Sequence, residues 1–201
     1  MFTYKINDDI HLSLPNPEVD AAPLFRLIDE SRNELVPWLP WVLKVKSIED
    51  ERKSLVRNLQ NLGASNSVNF VICYKNLIAG SVSLKIWEPN NKKIELGYWL
   101  GSEFTGKGIM LQAIHELCTF AFTKYSIHKI EIYAATDNFA SNKVAKNSEF
   151  HLETTQRDSA LLFGKFHDEN IWSLLQNEWN GMEIEVRYMK LQLKELKLID
   201  F

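Results

Sequence analysis

With 201 residues, 45% of them apolar and 24% charged, the chain can close one sizeable core and is too hydrophobic to remain disordered. A formal charge of −3 and a pI near 6.0 exclude a dedicated nucleic-acid binder and lend only slight support to a cationic substrate. No leader pattern and no apolar run of about 18 residues is present, so the expectation is a cytoplasmic protein with neither a membrane nor a nucleic acid as partner.

Ile10 to Leu14 alternates and stops at Pro15, a short strand. Asn16-Pro17-Glu18 opens a helix with Leu24, Leu27 and Ile28 at helical spacing. ELVPWLPWV at 34–42 is broken by two prolines and carries Trp38 and Trp41, so it reads as neither helix nor strand. Ser47 is the expected N-cap of a helix that has acids in its first turn and ends near Gly63. Residues 68–74 and 78–87 form two strands around a Lys75-Asn76-Leu77 turn, and a third strand at 94–100 completes an antiparallel meander.

A helix follows Gly108, with Met110, Ala113, Ile114, Leu117, Phe120 and Ala121 in one stripe. The strand at 129–135 comes next, and the strand–helix–strand order makes it parallel to 94–100. A short helix over 139–146 and strands at about 150–161 and 167–176 bring the patterned part to Glu178-Trp179. The fold class is α+β, a three-layer arrangement in one domain over residues 1–180. The stretch 181–201 alternates charge with leucine and reads as an extension, either a helix packed on a neighbour or a frayed end. Cys73 and Cys118 are far apart and form no C-x-x-C, so each reads as a small buried hydrophobe; no His pair has ligand spacing, and no metal is expected.

The stretch Lys93 to Ala113, KIELGYWLGSEFTGKGIMLQA, organises the rest. A strand runs into a loop holding Gly101, Gly106 and Gly108, and the loop opens into a helix. Exposed N–H groups and the positive end of the helix dipole make that a seat for a phosphate. Gly101 to Lys107 reproduces the G-x-x-x-x-G-K of a nucleotide-binding P-loop, but Gly108 stands where a Ser or Thr would ligate magnesium. A turn without a ligand is the bland alternative.

Leu100 to Ala113 resembles motif A of the GNAT superfamily of acetyl-CoA-dependent N-acetyltransferases, whose signature is Q/R-x-x-G-x-G/A. Gly106 and Gly108 supply the glycines, and Glu103 stands at the Gln/Arg position. Within that superfamily the chain is similar to the RimL/RimJ group of ribosomal-protein N-terminal acetyltransferases. The similarity rests on 34–42, on GYWLGSEFTGKGIM at 97–110, on DNFASNKVAKNSEF at 137–150 and on Glu178-Trp179. Asn147-Ser148-Glu149-Phe150 departs from the Lys-Leu-Gly-Phe common in the group, a change expected to alter the turn.

The resemblance implies a mixed, mostly antiparallel sheet of about seven strands flanked by helices. Its parallel fourth and fifth strands, 94–100 and 129–135, would splay for acetyl-CoA, the co-substrate. The pyrophosphate would meet backbone N–H groups of Thr105, Gly106, Lys107, Gly108, Ile109 and Met110, with the Lys107 side chain either adding charge or lying solvated. The pantetheine would bond backbone near Tyr98, Trp99 and Leu100 and be held by Asn138. Ser141 matches the family's proton donor, with helix capping as its alternative; an Asx turn is the alternative for Asn138.

The base is less determined. Ala160 occupies the position where related proteins place a Glu. Glu95, on the face of Gly97 and Trp99, is the preferred candidate, against a structural salt bridge; Asp158, Ser159 and His167 are further candidates. Trp38 and Trp41 would line the acceptor channel or else belong to the core. The implied activity is acetyl transfer by direct attack in a ternary complex onto a protein N-terminal α-amine. The alternatives are a small-molecule amine such as a polyamine or antibiotic, or CoA binding without catalysis. Oligomeric state is left open, with a homodimer among the options.

Overall fold

Alternating apolar residues along 67–100 put one row of side chains on each face of a sheet, and helices cover both rows. The computed structural model describes residues 3–179, so the 181–201 extension lies outside the described residues. The sheet has eight strands in the order β1-β2-β3-β4-β5-β6-β8-β7. They are β1 (Thr3–Lys5), β2 (Ile10–Ser13), β3 (Ser67–Tyr74), β4 (Leu77–Glu88), β5 (Lys93–Leu100), β6 (Lys129–Ala135), β7 (His151–Leu162) and β8 (Lys165–Leu175). The helices are α1 (Pro17–Glu30), α2 (Arg32–Leu35), α3 (Ile48–Gly63), α4 (Ile109–Lys124) and α5 (Phe139–Asn147).

The expected seven strands are all present, and the eighth is the short β1, paired antiparallel with β2. Three residues of no marked pattern gave it no sequence signal. The β3-β4-β5 meander is antiparallel as read, and its first turn is Lys75-Asn76, both at positive φ (50° and 64°). Only β5 and β6 are parallel, joined through α4. The segment 34–42 is more ordered than its prolines suggest: it begins in α2 and ends in a 3-10 turn over Pro40–Lys44. Arg32 holds it by donating from Nη1 to the Val42 carbonyl (2.8 Å) and from Nη2 to that of Val45 (2.9 Å).

The main core lies between the sheet and α4. There Phe70, Ile72, Val82, Leu84, Ile94, Leu96, Ile130 and Ile132 meet Ile109, Ala113, Ile114 and Leu117. Side chains pointing the other way pack under α1 and α3, where Val71 meets Ala21, Leu24 and Leu55. A third cluster, Ile28, Leu35, Val42 and Val45, fills the space beneath 32–45. Cys118 is fully buried and Cys73 half-buried, both as free thiols.

Candidate active site

Three of the four longer helices begin with a side-chain cap. Asn16 accepts from the Glu18 N–H, Ser47 from that of Asp50, and Asn138 from that of Ser141. Helix α4 begins instead at Gly108, at φ 71°, with no side-chain cap and no acid in its first turn. Its first N–H groups and its dipole are left for something outside the protein. Gly106 is also in the left-handed region, at φ 74°. A Cβ at Gly106 would meet nothing within 4 Å, and one at Gly108 only Gln112 Nε2 at 3.9 Å. Backbone conformation, not crowding, calls for these glycines, and the surface over them is open.

The remaining loop residues divide by function. Gly101 is structural: a Cβ there would come within 2.2 Å of Leu27 on α1. The Thr105 N–H and hydroxyl both donate to the Ser102 carbonyl, at 3.3 and 2.8 Å, so this amide is held inside the turn and the open donors start at Gly106. Lys107 is exposed, with its ammonium 5.3 Å from the Phe104 ring and 5.9 Å from that of Tyr74. The side chains of Ile109 and Met110 are core. The magnesium-dependent P-loop alternative fails on structure as well as sequence, since its strand belongs to the antiparallel meander.

Strands β5 and β6 pair only from Lys93–Lys129 to Glu95–Glu131 and then part. The gap between 96–100 and 132–135 is the splay that the sequence resemblance implied. Across it the Tyr98 hydroxyl reaches α5, donating to the Ser141 carbonyl (3.2 Å) and sharing a hydrogen bond with Ser141 Oγ (3.0 Å). Burial pushes the Tyr98 phenol up to about 12, so it stays neutral and able to donate. Ser141 is thus not its own helix cap; Asn138 Oδ1 caps it at 3.1 Å. Asn142, which the sequence reading passed over, fixes α5. It donates to the Ala135 and Asn138 carbonyls (2.8 and 2.9 Å) and accepts from Asn170 Nδ2 and Trp172 Nε1 (2.8 and 2.9 Å).

On the opposite face a cavity of about 300 Å³ lies between α1, α3 and the sheet. Gly97, Tyr98 and Trp99 of β5 form one wall, Ser81 and Ser83 of β4 another, and Trp41 and Glu51 stand over them. Trp41 packs edge-on to Trp99, ring centres 6.0 Å apart. Trp38 is half-buried and outside the lining. Glu95 is half-buried, in register with Lys85 and Glu131, and also outside the lining.

The other base candidates lie along β7 and β8. Ser159 donates to Glu169 (3.0 Å), and the Asp158 N–H donates to Asp168 (3.0 Å). His167 contacts Asp137 (3.1 Å). Glu51 is the lining residue that sequence reasoning missed, because it read as one more acid at a helix N-terminus. Its available signal was spacing, for Glu51, Leu55 and Asn58 fall on one stripe of α3.

A capless helix behind two left-handed glycines, a parted parallel pair and a cavity beneath α1 and α3 form one constellation. The family model described as an acetyltransferase (GNAT) domain matches residues 9–151. The chain belongs to the GNAT family. It is an N-acetyltransferase by that membership, and its nearer similarities are RimL-like. YdaF of Bacillus subtilis, provisionally named a ribosomal N-acetyltransferase, is 33% identical over 90% of this chain and 99% of its own. The ribosomal-protein-serine acetyltransferase of Escherichia coli is 29% identical over 85% of this chain and 95% of its own. A solved RimL, a ribosomal L7/L12 α-N-protein acetyltransferase in complex with coenzyme A, superposes with a TM-score of 0.83 at 28% identity, covering 88% of this chain and 99% of that one. The microcin C7 self-immunity acetyltransferase MccE, solved with acetyl-CoA and AMP, gives 0.81 at 31% identity over 85% and 94%. Among the described residues of the GNAT chain no helix is long and apolar enough to cross a membrane.

Proposed function

We propose that this acetyltransferase acts in the cytoplasm on the N-terminal α-amine of a protein, of the ribosomal-protein type named for its relatives. The observation that carries the reading is the parting of β5 from β6 directly beside a helix whose first amides are free. Gly106 to Met110 would hold the pyrophosphate, with Lys107 able to swing from the Phe104 ring toward it. The open edges of Tyr98, Trp99 and Leu100, with Asn138, would hold the pantetheine. Acetyl-CoA supplies the activated thioester.

What the chain's own residues do follows from their positions. A backbone N–H in 98–100, freed where β6 departs, polarises the carbonyl. Ser141, backed by the neutral Tyr98 hydroxyl, donates a proton to the leaving sulfur. The amine nitrogen gains the acetyl carbon as the C–S bond breaks, so one proton must leave the amine. Glu95 stands two residues before Gly97 on the same face, outside the lining, and would act on that proton only through water. Trp41 and Trp99 form the aromatic wall for the acceptor's first residue.

The neighbour MccE, solved with acetyl-CoA and AMP, and the modest size of the cavity favour a second reading, a small-molecule amine as acceptor. Acetyl-CoA turnover against N-terminal peptides, polyamines and aminoglycosides separates the two. Turnover of peptides above small amines is expected. Tight CoA binding with no turnover of any amine would sink the enzymatic reading.

A further inference from the structure

The acceptor-side cavity is lined by a single carboxylate, Glu51, and by no lysine, arginine or histidine. Glu51 is 5% exposed, and its Oε2 has no hydrogen-bond partner among the described residues. Its neighbours in the first turn of α3 are otherwise engaged. Asp50 accepts from the Lys46 N–H and the Ser47 hydroxyl (3.0 and 2.9 Å), and Glu49 pairs with Arg52 (3.2 Å).

Two acids of the packed helix α1 are also taken. On α1, Glu18 pairs with Arg52 on the outside, and Asp20 accepts from the Asn16 N–H (2.7 Å). Strand β3 brings uncharged Asn69, Phe70 and Val71 to the cavity, and β5 brings the neutral Tyr98. A carboxylate oxygen withdrawn from water and left without a donor is unfavourable unless something else supplies one.

We propose that Glu51 receives the acceptor: its carboxylate bonds the acceptor's ammonium in the cavity and takes one proton from it, leaving the nitrogen its electron pair for attack. This assignment rests on the acetyltransferase reading and gives the missing base a position inside the lining, where Glu95 has none. The ligand class is a primary amine on a short polar head. The ammonium meets Glu51, while Asn58, Asn69, Ser81 and Ser83 offer hydrogen bonds to the amide that follows. Burial holds the Glu51 carboxyl up at about 7, near the ~8 of an α-amine, so the proton passes almost evenly and returns to water after the product leaves.

The test compares wild type, Glu51→Gln and Glu51→Asp, each loaded with CoA. A short peptide with a free α-amine and its N-acetylated copy are titrated in by calorimetry, and kcat/KM is followed over roughly pH 6 to 9. Wild type should prefer the free amine at least about tenfold, with an acid limb in kcat/KM near pH 7. Glu51→Gln should erase that preference, abolish the limb and lower kcat/KM about a hundredfold, while CoA affinity is retained and the melting temperature does not fall. Glu51→Asp should keep the limb at reduced rate. A Glu51→Gln protein that keeps both preference and limb, or a wild type that binds the two peptides alike, overturns the assignment. Selective amine binding through Glu51 with no turnover would refute the enzymatic reading and uphold Glu51; turnover that survives Glu51→Gln with its limb would do the reverse.

Discussion

Asn138 holds the Ser141 amide and Asn142 ties the same helix to β6 and β8, which leaves the Ser141 hydroxyl free to meet Tyr98. Ser141→Ala should therefore lower kcat about tenfold to a hundredfold with little change in acetyl-CoA affinity, read by steady-state kinetics beside calorimetry. Asn142→Leu strands the Trp172 indole N–H and the Asn170 side-chain amide and should cost about 2–3 kcal/mol in a denaturant melt. Where the group has glycine, Glu149 sits in the left-handed region at φ 66°. Glu149→Gly should stabilise the protein by about 1 kcal/mol, a rise of a few degrees in melting temperature. Positions in the candidate site were legible where a motif carried them, as at Ser141 and Asn138. Glu51 and Asn142 were not, because their meaning lies in partners brought from other elements.

At the scale of elements, most of the fold could be read from period and punctuation. The caps at Asn16, Ser47 and Asn138, the meander and the parallel return all rest on local rules. The strand β1 and the ordered 32–45 segment depend on distant contacts, pairing with β2 in one case and the Arg32 fork in the other. The cradle belongs to both kinds. Its glycines are visible in sequence, but that Thr105 turns inward while Gly106 to Met110 stay open required the structure. Gly108→Ala forces a Cβ into the left-handed region and should destabilise by about 1 kcal/mol. By shifting the open amides it should also weaken CoA binding about tenfold, measured by calorimetry.

Across the whole molecule the proposed function divides the sheet's labour, with donor binding assigned to the α4 side and acceptor binding to the α1/α3 side. They meet where β5 loses β6. Stability should record the acceptor side. The Glu51 carboxyl is raised by burial from 4.5 to about 7, so its ionisation opposes folding. Below pH 4.5 it is protonated in both folded and unfolded chains and costs nothing; as pH rises toward 7 the unfolded chain ionises first, and stability falls by up to roughly 3 kcal/mol. Melts of wild type and Glu51→Gln should diverge in that window, the variant being the more stable at neutral pH. The most direct measurement of the central claim maps the acetylated atom. A peptide with a free α-amine and an internal lysine is incubated with the protein and acetyl-CoA, then sequenced by tandem mass spectrometry. One acetyl group on the α-amine and none on the lysine is the expected result; acetyl on the lysine alone, or on neither amine, would contradict it.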